Sequence, residues 1–376
     1  MHIRDPILGA IEISPAELKI IETSQMQRLH YVKQLGFSYL VYPGANNTRF
    51  EHSLGTMHIT KELSRNIFHE NIEELNCAAL LHDIGHGPFS HQFDFVLNKY
   101  LHTNHEEIGK QLIKSTEIRD IISDSGMSVT KVLNFISGKS KGIVVSGSIG
   151  ADRIDYLMRD SRYTGVAYGV IDYNRIKSKL AIFNHSIAVY EGGIVGAESM
   201  LMARYFMFSS VYLHHTTLII DQMFAKALVH AIEDKSIDVN EAKTFTDSML
   251  FNLLLTMPNN ELVKRINERR LYKRAFYKEF DSSEVSINEQ HIAEEIERLG
   301  LGDDEYVISL SHFKPEEDKV YVLDRSGKLV GSLNEVSPLI STLQGTSKNR
   351  SKLIVACDPK NTKKISSRLN KILSFK

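Results

Sequence analysis

The stretch Leu80-Leu81-His82-Asp83-Ile84-Gly85-His86-Gly87-Pro88-Phe89-Ser90-His91 decides how this chain is read. Three histidines and an aspartate follow directly on the apolar run Cys77-Ala78-Ala79-Leu80-Leu81. The run predicts a helix over 72–83, and Gly85, Gly87 and Pro88 break it. On a helix His82 and Asp83 point about 100° apart, yet at its end both can reach one group. Imidazole nitrogen with carboxylate oxygen suits a borderline to hard divalent ion such as Mn, Fe, Zn or Mg. A single histidine at a helix C-terminus is ordinarily a partner of the dipole. Three of them with an aspartate behind an apolar lead-in point to a site.

The chain has 376 residues, 42% apolar and 24% charged, as in ordinary globular proteins. That length allows two or more domains. The net charge of -1 carries no basic bias, so no extended nucleic-acid surface is expected. Cys77 and Cys357 form no CxxC, which argues against a disulfide framework or a thiolate zinc site. Met1-His2-Ile3-Arg4-Asp5 does not open a secretory signal, and no apolar run reaches the length of a membrane span. A cytoplasmic protein with no membrane partner is expected.

Outward from the opening stretch, Ile3–Ile13 predicts a short hairpin, and Ser14-Pro15-Ala16-Glu17 has the form of a capping box. Helices are expected over 24–35, 52–68 and 89–99, with Asn104 capping another. Ala151–Asp160 reads as a helix whose Asp152, Tyr156 and Asp160 lie along one face. Two short strands are expected in 180–190, one or two long helices over 197–233, and more helix to about 279. Phe280-Asp281-Ser282-Ser283 is a candidate linker. Beyond it come strands at 305–310, 319–323, 329–332 and 352–356 and a closing helix over 361–373, with charged turns at 314–319 and 348–352. The expected organisation is a helical domain over 1–280 and a small α+β lobe over 281–376.

A metal held by His82 and Asp83 needs further ligands. His52 at a helix start, Asp152 after a glycine-rich turn and His105-Glu106 stand out by context. Two histidines and two aspartates would partly neutralise a divalent ion and leave room for water and a phosphate oxygen, the arrangement of metal-assisted hydrolysis. His86, His91 and His105 are candidates for proton transfer. Asp94 lies one helical turn from His91. Arg49, Arg153 and Arg204 are candidate phosphate clamps.

The sequence resembles the HD-domain phosphohydrolase superfamily, and within it the dNTP triphosphohydrolase branch that includes the vertebrate sterile-alpha-motif/HD-domain enzymes. The resemblance is carried by Gln25-Met26-Gln27-Arg28-Leu29 with Lys33-Gln34-Leu35-Gly36, Tyr42-Pro43-Gly44-Ala45, Arg49-Phe50-Glu51-His52-Ser53-Leu54-Gly55, His82 to His91, and Asp152-Arg153-Ile154-Asp155-Tyr156. It covers roughly residues 1–230 and implies a mainly α fold with an HD-type helical bundle, to which the patterns above add the short N-terminal hairpin and the small C-terminal α+β lobe. It implies His52, His82, Asp83 and Asp152 as ligands of one divalent metal ion (Mn, Fe, Mg, Zn or Ni). His91 and His105, with Asp94 and Glu106, match groups that assist attack at the α-phosphorus and proton transfer, and His86 matches a phosphate-proximal histidine. Arg49, Arg153 and Tyr156 match triphosphate contacts, Gln34 and Asp160 hold the sugar 3'-hydroxyl, and Leu35 and Tyr212 crowd its 2' position. Arg204 and His214 match further substrate contacts.

The branch's guanine-nucleotide activator site is altered: Glu22 keeps a carboxylate and Gln27 is retained, but His30 and His2 stand where permanent cations are found. The hairpin begins at Met1, so no preceding sterile-alpha-motif domain is expected. The Met- and Phe-rich segment near 197–231 together with the resemblance implies a homo-oligomer, dimer or tetramer. The expected activity is metal-dependent cleavage of a dNTP, or a related phosphorylated small molecule, to deoxynucleoside and inorganic triphosphate. The alternatives are another HD phosphohydrolase activity, nucleotide phosphatase or phosphodiesterase, and a non-catalytic nucleotide-binding regulatory module.

Overall fold

The structure is a computed structural model that describes all residues except 259, 282, 284–286, 313–318, 348–349 and 374–376. In chain order it forms β1 (His2–Asp5), β2 (Gly9–Glu12), α1 (Pro15–Ile21), α2 (Ser24–Arg28), α3 (Arg49–Phe68), α4 (Glu73–Leu81), α5 (His91–Leu101) and α6 (His105–Ser115). Then follow α7 (Glu117–Asp124), α8 (Val129–Ile136), α9 (Ile143–Ser146), α10 (Ala151–Thr164), α11 (Tyr173–Lys179), β3 (Leu180–Phe183), β4 (Ser186–Tyr190), α12 (Ile194–Met207) and α13 (His215–Glu233). The chain ends with α14 (Val239–Ala242), α15 (Asp247–Thr256), α16 (Glu261–Asn267), β5 (Lys273–Asp281), α17 (Glu289–Glu297), β6 (Tyr306–His312), β7 (Tyr321–Leu323), β8 (Leu329–Ser332), α18 (Leu333–Val336), α19 (Pro338–Ser347), β9 (Arg350–Cys357) and α20 (Thr362–Ile372). The fold is predominantly α with small β lobes, as the sequence predicts.

Two compact units divide the chain. The first holds Met1–Met207, Val239–Asp247 and Glu316–Leu343; the second holds Phe208–Asp238, Ser248–Pro315 and Gln344–Lys376. In the first unit the β1–β2 hairpin leads into α1 through the expected capping box, Ser14 accepting from Glu17 N while Glu17 accepts from Ser14 N. A second capping box, Thr48 with Glu51, starts α3. Helix α3 is buried along most of its length, with Leu54, Met57 and Leu63 in the core, and it packs against α4 and α10. Its polar positions His52, Ser53, Thr56 and Thr60 are buried as well, so one helix supplies both core and site.

The second unit is built on the antiparallel sheet β5-β9-β6. One core cluster there gathers Phe276, Leu353 and Val355 from the sheet with Ile292 and Ile296 of α17 and Ile365 and Leu369 of α20.

Several expectations are corrected. The helix expected over 24–35 stops at Arg28, because the backbone beyond it is recruited elsewhere: Gln34 N donates to Asn47 O and Arg49 N to Val32 O. The expected helix near 273–279 is strand β5, whose partner β9 supplies a full antiparallel ladder. A cut at residue 280 therefore falls inside β5. Strands β7 and β8 do not join the other C-terminal strands; β7 pairs in parallel with β4, giving the sheet β3-β4-β7-β8 in the first unit. The linker residue Ser282 and most of the two charged turns lie outside the described residues.

A buried ion pair ties the hairpin and α1 to α3. Lys61 Nζ donates to Glu17 Oε2 at 2.5 Å and to Glu12 O at 2.8 Å. Both side chains are almost wholly buried, so removing one charge strands the other in a poorly solvated place. Lys61→Met should lower stability by about 3 kcal/mol, and Lys61→Met with Glu17→Gln should recover part of it. Urea unfolding checks this, and an unchanged midpoint for the single variant would refute it.

Candidate active site

Helices α3, α4 and α10 bring His52, His82, Asp83 and Asp152 together in the first unit. His52 lies in the first turn of α3 and is 1% exposed, so its ring needs partners for both nitrogens. Nδ1 faces Asp155 Oδ2 at 2.8 Å and Nε2 faces Asp152 Oδ1 at 3.0 Å. Burial disfavours a charged imidazole here, but the two carboxylates hold a proton on the ring and push it up to about 10. Asp155 is itself gripped by Arg159 one turn further along α10, Nε to Oδ2 and Nη2 to Oδ1 at 2.8 Å each, and Arg159 Nη1 reaches Asp5 Oδ2 at 2.8 Å. The result is a buried chain Asp5–Arg159–Asp155–His52. It requires glycine at position 55, where a Cβ would sit 1.9 Å from Asp155 Oδ1 and 2.4 Å from Arg159 Nη2.

His82 caps the C-terminus of α4, and its Nδ1–H donates to Ala79 O at 2.8 Å. That bond leaves Nε2 as the lone-pair nitrogen. It is buried without a hydrogen-bond partner, 3.4 Å from Asp83 Oδ1 and 3.7 Å from Asp152 Oδ1. Asp83 lies past the helix end, its Oδ2 3.7 Å from His52 Nε2 and 2.5 Å from Arg49 Nη1. Burial opposes the Asp83 carboxylate, but His82 and Arg49 hold it well below the usual carboxylate range. The turn packs against the start of α6; a Cβ at Gly85 would lie 2.1 Å from His105 O and 2.3 Å from Gly109 N. Close backbone approach at Gly85 is thus what carries His105 to the HD pair.

Beside this group His86 and His105 stack at 3.8 Å between ring centroids. Asp94 Oδ2 lies 2.8 Å from His105 Nδ1, 3.6 Å from His91 Nδ1 and 3.9 Å from His86 Nδ1. Burial and the nearby Arg49 cation push His86 down to about 3, so it stays neutral. The hydrogen bonds from His105 and His91 outweigh burial at Asp94 and keep it ionised. His91 is exposed, and Glu106 is exposed without an ion pair to the cluster among the described residues.

The residues expected around a sugar and triphosphate are placed as follows. Gln34 and Asp160 are linked through Asn47, whose O accepts from Gln34 N and whose Nδ2 donates to Asp160 Oδ1, both at 2.9 Å. Leu35 is half-buried before a short helical turn at Gly36–Leu40, and Arg153 and Tyr156 are half-buried on α10 beside Asp152. Arg49 is 3% exposed. Arg204 lies on α12 in the first unit. Tyr212 and His214 belong to the second unit, between α12 and α13, where His214 caps α13. Asp155, Arg159, Asn47 and Gly55 frame this group, and sequence reasoning gave none of them a role. The spacing of Asp155 and Arg159, one helical turn apart, was the available signal.

The residues fit a divalent metal ion. One ligand atom each from His52, His82 and Asp152 lie within 4.8 Å of one another, and Asp83 abuts them. His52 carries the carboxylate on its far nitrogen, and His82 the backbone carbonyl, that orient metal-binding imidazoles. Among the described residues, the buried side-chain atoms without a hydrogen-bond partner include His82 Nε2, Arg49 Nη2, His86 Nδ1, Asp94 Oδ1 and Gln34 Oε1. Buried polar groups are normally satisfied within the protein. His82 and Arg49 both lie against Asp83, so the unmatched His82 Nε2 and Arg49 Nη2 are where a ligand would complete the pairing.

Known proteins match the chain along its length. The HD domain family matches residues 49–159, and the HD associated region matches residues 171–376. An uncharacterised protein of Methanocaldococcus jannaschii is 35% identical over 99% of this chain and 83% of its own length. The deoxynucleoside triphosphate triphosphohydrolase SAMHD1 of Bos taurus is 30% identical over 72% of this chain, which spans 58% of that longer protein. The crystal structure of a phosphohydrolase from Bacteroides thetaiotaomicron superposes with a TM-score of 0.78 at 26% identity, covering 95% of this chain and 99% of that one.

Asp155→Asn removes the carboxylate that orients His52 while keeping its shape. Metal affinity should fall by about ten- to a hundredfold with the fold retained, as read by metal titration and circular dichroism. Gly55→Ala should lose both, since its methyl displaces the Asp155–Arg159 pair. Unchanged affinity in Asp155→Asn would remove Asp155 from the ligand's support.

Proposed function

Because this chain belongs to the HD-domain phosphohydrolase superfamily, with an HD domain at 49–159 and an HD-associated region after it, we propose that it is a metal-dependent hydrolase cleaving dNTPs to deoxynucleoside and inorganic triphosphate. The observation that carries this reading is the set of partnerless buried groups, Arg49 Nη2, His82 Nε2 and His86 Nδ1, beside two aspartates and His52. A cation would satisfy His82 Nε2, and a phosphate oxygen would satisfy Arg49 Nη2. The likeness to the bovine triphosphohydrolase supports the substrate class.

In this reading His52, His82, Asp83 and Asp152 hold the metal. When bound, the ion supplies Lewis acidity at the α-phosphoryl group and lowers the pKa of attacking water. Arg49, Arg153 and Tyr156 bind the triphosphate and fix its direction. Gln34 and Asp160, joined by Asn47, hold the sugar 3'-hydroxyl. Water adds to the α-phosphorus and the bond to the 5'-oxygen breaks, so the departing 5'-oxygen takes up a proton. His105 is the group placed to move one: Asp94 fixes its Nδ1–H and leaves Nε2 for the transfer. Neutral His86, stacked on it, adds no competing charge. The Asp83–Arg49 pair neutralises part of the carboxylate charge that would repel phosphate.

The test is incubation of the metal-reconstituted protein with each dNTP, alone and with GTP, followed by chromatography of the products. Deoxynucleoside plus triphosphate is expected. Deoxynucleoside monophosphate or free phosphate would place the cleavage at another bond and overturn the proposal. His82→Ala and Asp83→Ala should each lose metal and turnover together; retained metal content would overturn the ligand assignment.

A further inference from the structure

The turn that follows the HD pair is held in an unrelaxed shape from outside the site. Phe89 and Ser90 both have positive φ, 56° and 49°, although neither is glycine. Such residues persist only where surrounding groups over-determine them. Two groups do so here, and neither touches the candidate metal ligands. Asp247, 7% exposed, accepts from Phe89 N through Oδ1 at 2.7 Å and from Lys33 N through Oδ2 at 2.9 Å. Arg28 spans the other side: Nη2 donates to His86 O at 2.5 Å and to Ile84 O at 3.3 Å, and Nη1 donates to Phe245 O at 3.0 Å. Phe245 and Asp247 belong to the Val239–Asp247 stretch of the first unit, so one short segment anchors the turn at both ends.

What the clamp delivers is a hydroxyl. The Ser90 hydroxyl donates to Lys33 O at 3.2 Å and accepts from Arg49 Nε at 3.0 Å, and Arg49 Nη1 reaches Asp83 Oδ2 at 2.5 Å. Asp247 therefore sets the separation of the two backbone segments that bracket Ser90, since one oxygen holds the Lys33 side and the other the Phe89 side. If Phe89 relaxed to negative φ, its N–H would turn away from Asp247, and Ser90 would leave Arg49.

We propose that Asp247 and Arg28 are positioning residues that lock the Ile84–Ser90 turn so that Ser90 and Arg49 are aligned on Asp83; the catalytic part of this inference rests on the function proposed above. The isosteric Asp247→Asn turns one acceptor into a donor facing a backbone N–H. Arg28→Lys keeps the charge but cannot span three carbonyls in a plane.

The experiment compares full-length, metal-loaded wild type with each variant by hydrogen–deuterium exchange, metal content and steady-state kinetics. Expected are faster exchange confined to peptides covering 29–36 and 84–93, unchanged exchange in α3 and α10, and full metal content. On the nucleotide that wild type hydrolyses, kcat should fall by roughly ten- to a hundredfold with KM little changed. Exchange at 84–93 like wild type in both variants, or a uniform rise across the first unit, would overturn the proposal, as would an unaltered kcat. If wild type hydrolyses no nucleotide, the proposed function fails while the exchange comparison still decides the clamp.

Discussion

The Asp155 carboxylate, wholly buried between Arg159 and His52, is the interaction on which the site depends. Taking a carboxylate and a guanidinium out of water is costly, and only near-complete pairing offsets it. The pairing is close to complete: Asp155 uses both oxygens on Arg159 and shares one with His52, and Arg159 spends its remaining arm on Asp5. The geometry has little freedom because any departure leaves a charge unmatched. It also determines which His52 nitrogen faces the ligand. The N-terminal hairpin, far from the chemistry in sequence, is bound into this arrangement through Asp5.

The HD turn meets a different constraint. Its glycines let backbone pass close to α6, which brings His105 beside His86, but the same brevity forces Phe89 and Ser90 into left-handed conformations. Conformations of this kind cost on the order of 1–3 kcal/mol each. Hydrogen bonds from Arg28 and to Asp247 hold them, and the Phe37–Phe89 ring stack at 4.4 Å adds a packing contact. The site thus joins a rigid floor of helices to a turn kept under strain.

Much of this was legible in the sequence because the relevant signals are local. The capping box at Ser14, the broken helix after Leu81 and the polar face of α10 each follow from a few neighbouring residues. The groups that were not legible act over long separations. Asp247 lies 158 residues from Phe89, and nothing around it marks its partner. Asn47 reads as a loop residue until α10 brings Asp160 to it. Strand β5 reads as helix because Lys273–Asp281 is rich in long charged side chains, and only the β9 ladder selects the extended form. The early end of α2 has the same origin: backbone pairing with Asn47 and Arg49 displaces local helix propensity.

The distribution of satisfied and unsatisfied groups separates support from chemistry. Asp155, Arg159, Asp247 and Arg28 are buried or nearly so, and their charged atoms are engaged by protein partners. His86 and Arg49 are buried and His82 and Asp94 partly so, yet each keeps one buried polar atom unmatched. If burial alone governed the region, both sets would be matched, because an unmatched buried group costs about 1–3 kcal/mol. Of these, His82 and Arg49 converge on Asp83. A preorganised polar site has this form: the charged groups that support it are paired within the protein, and its working groups keep atoms open to a ligand.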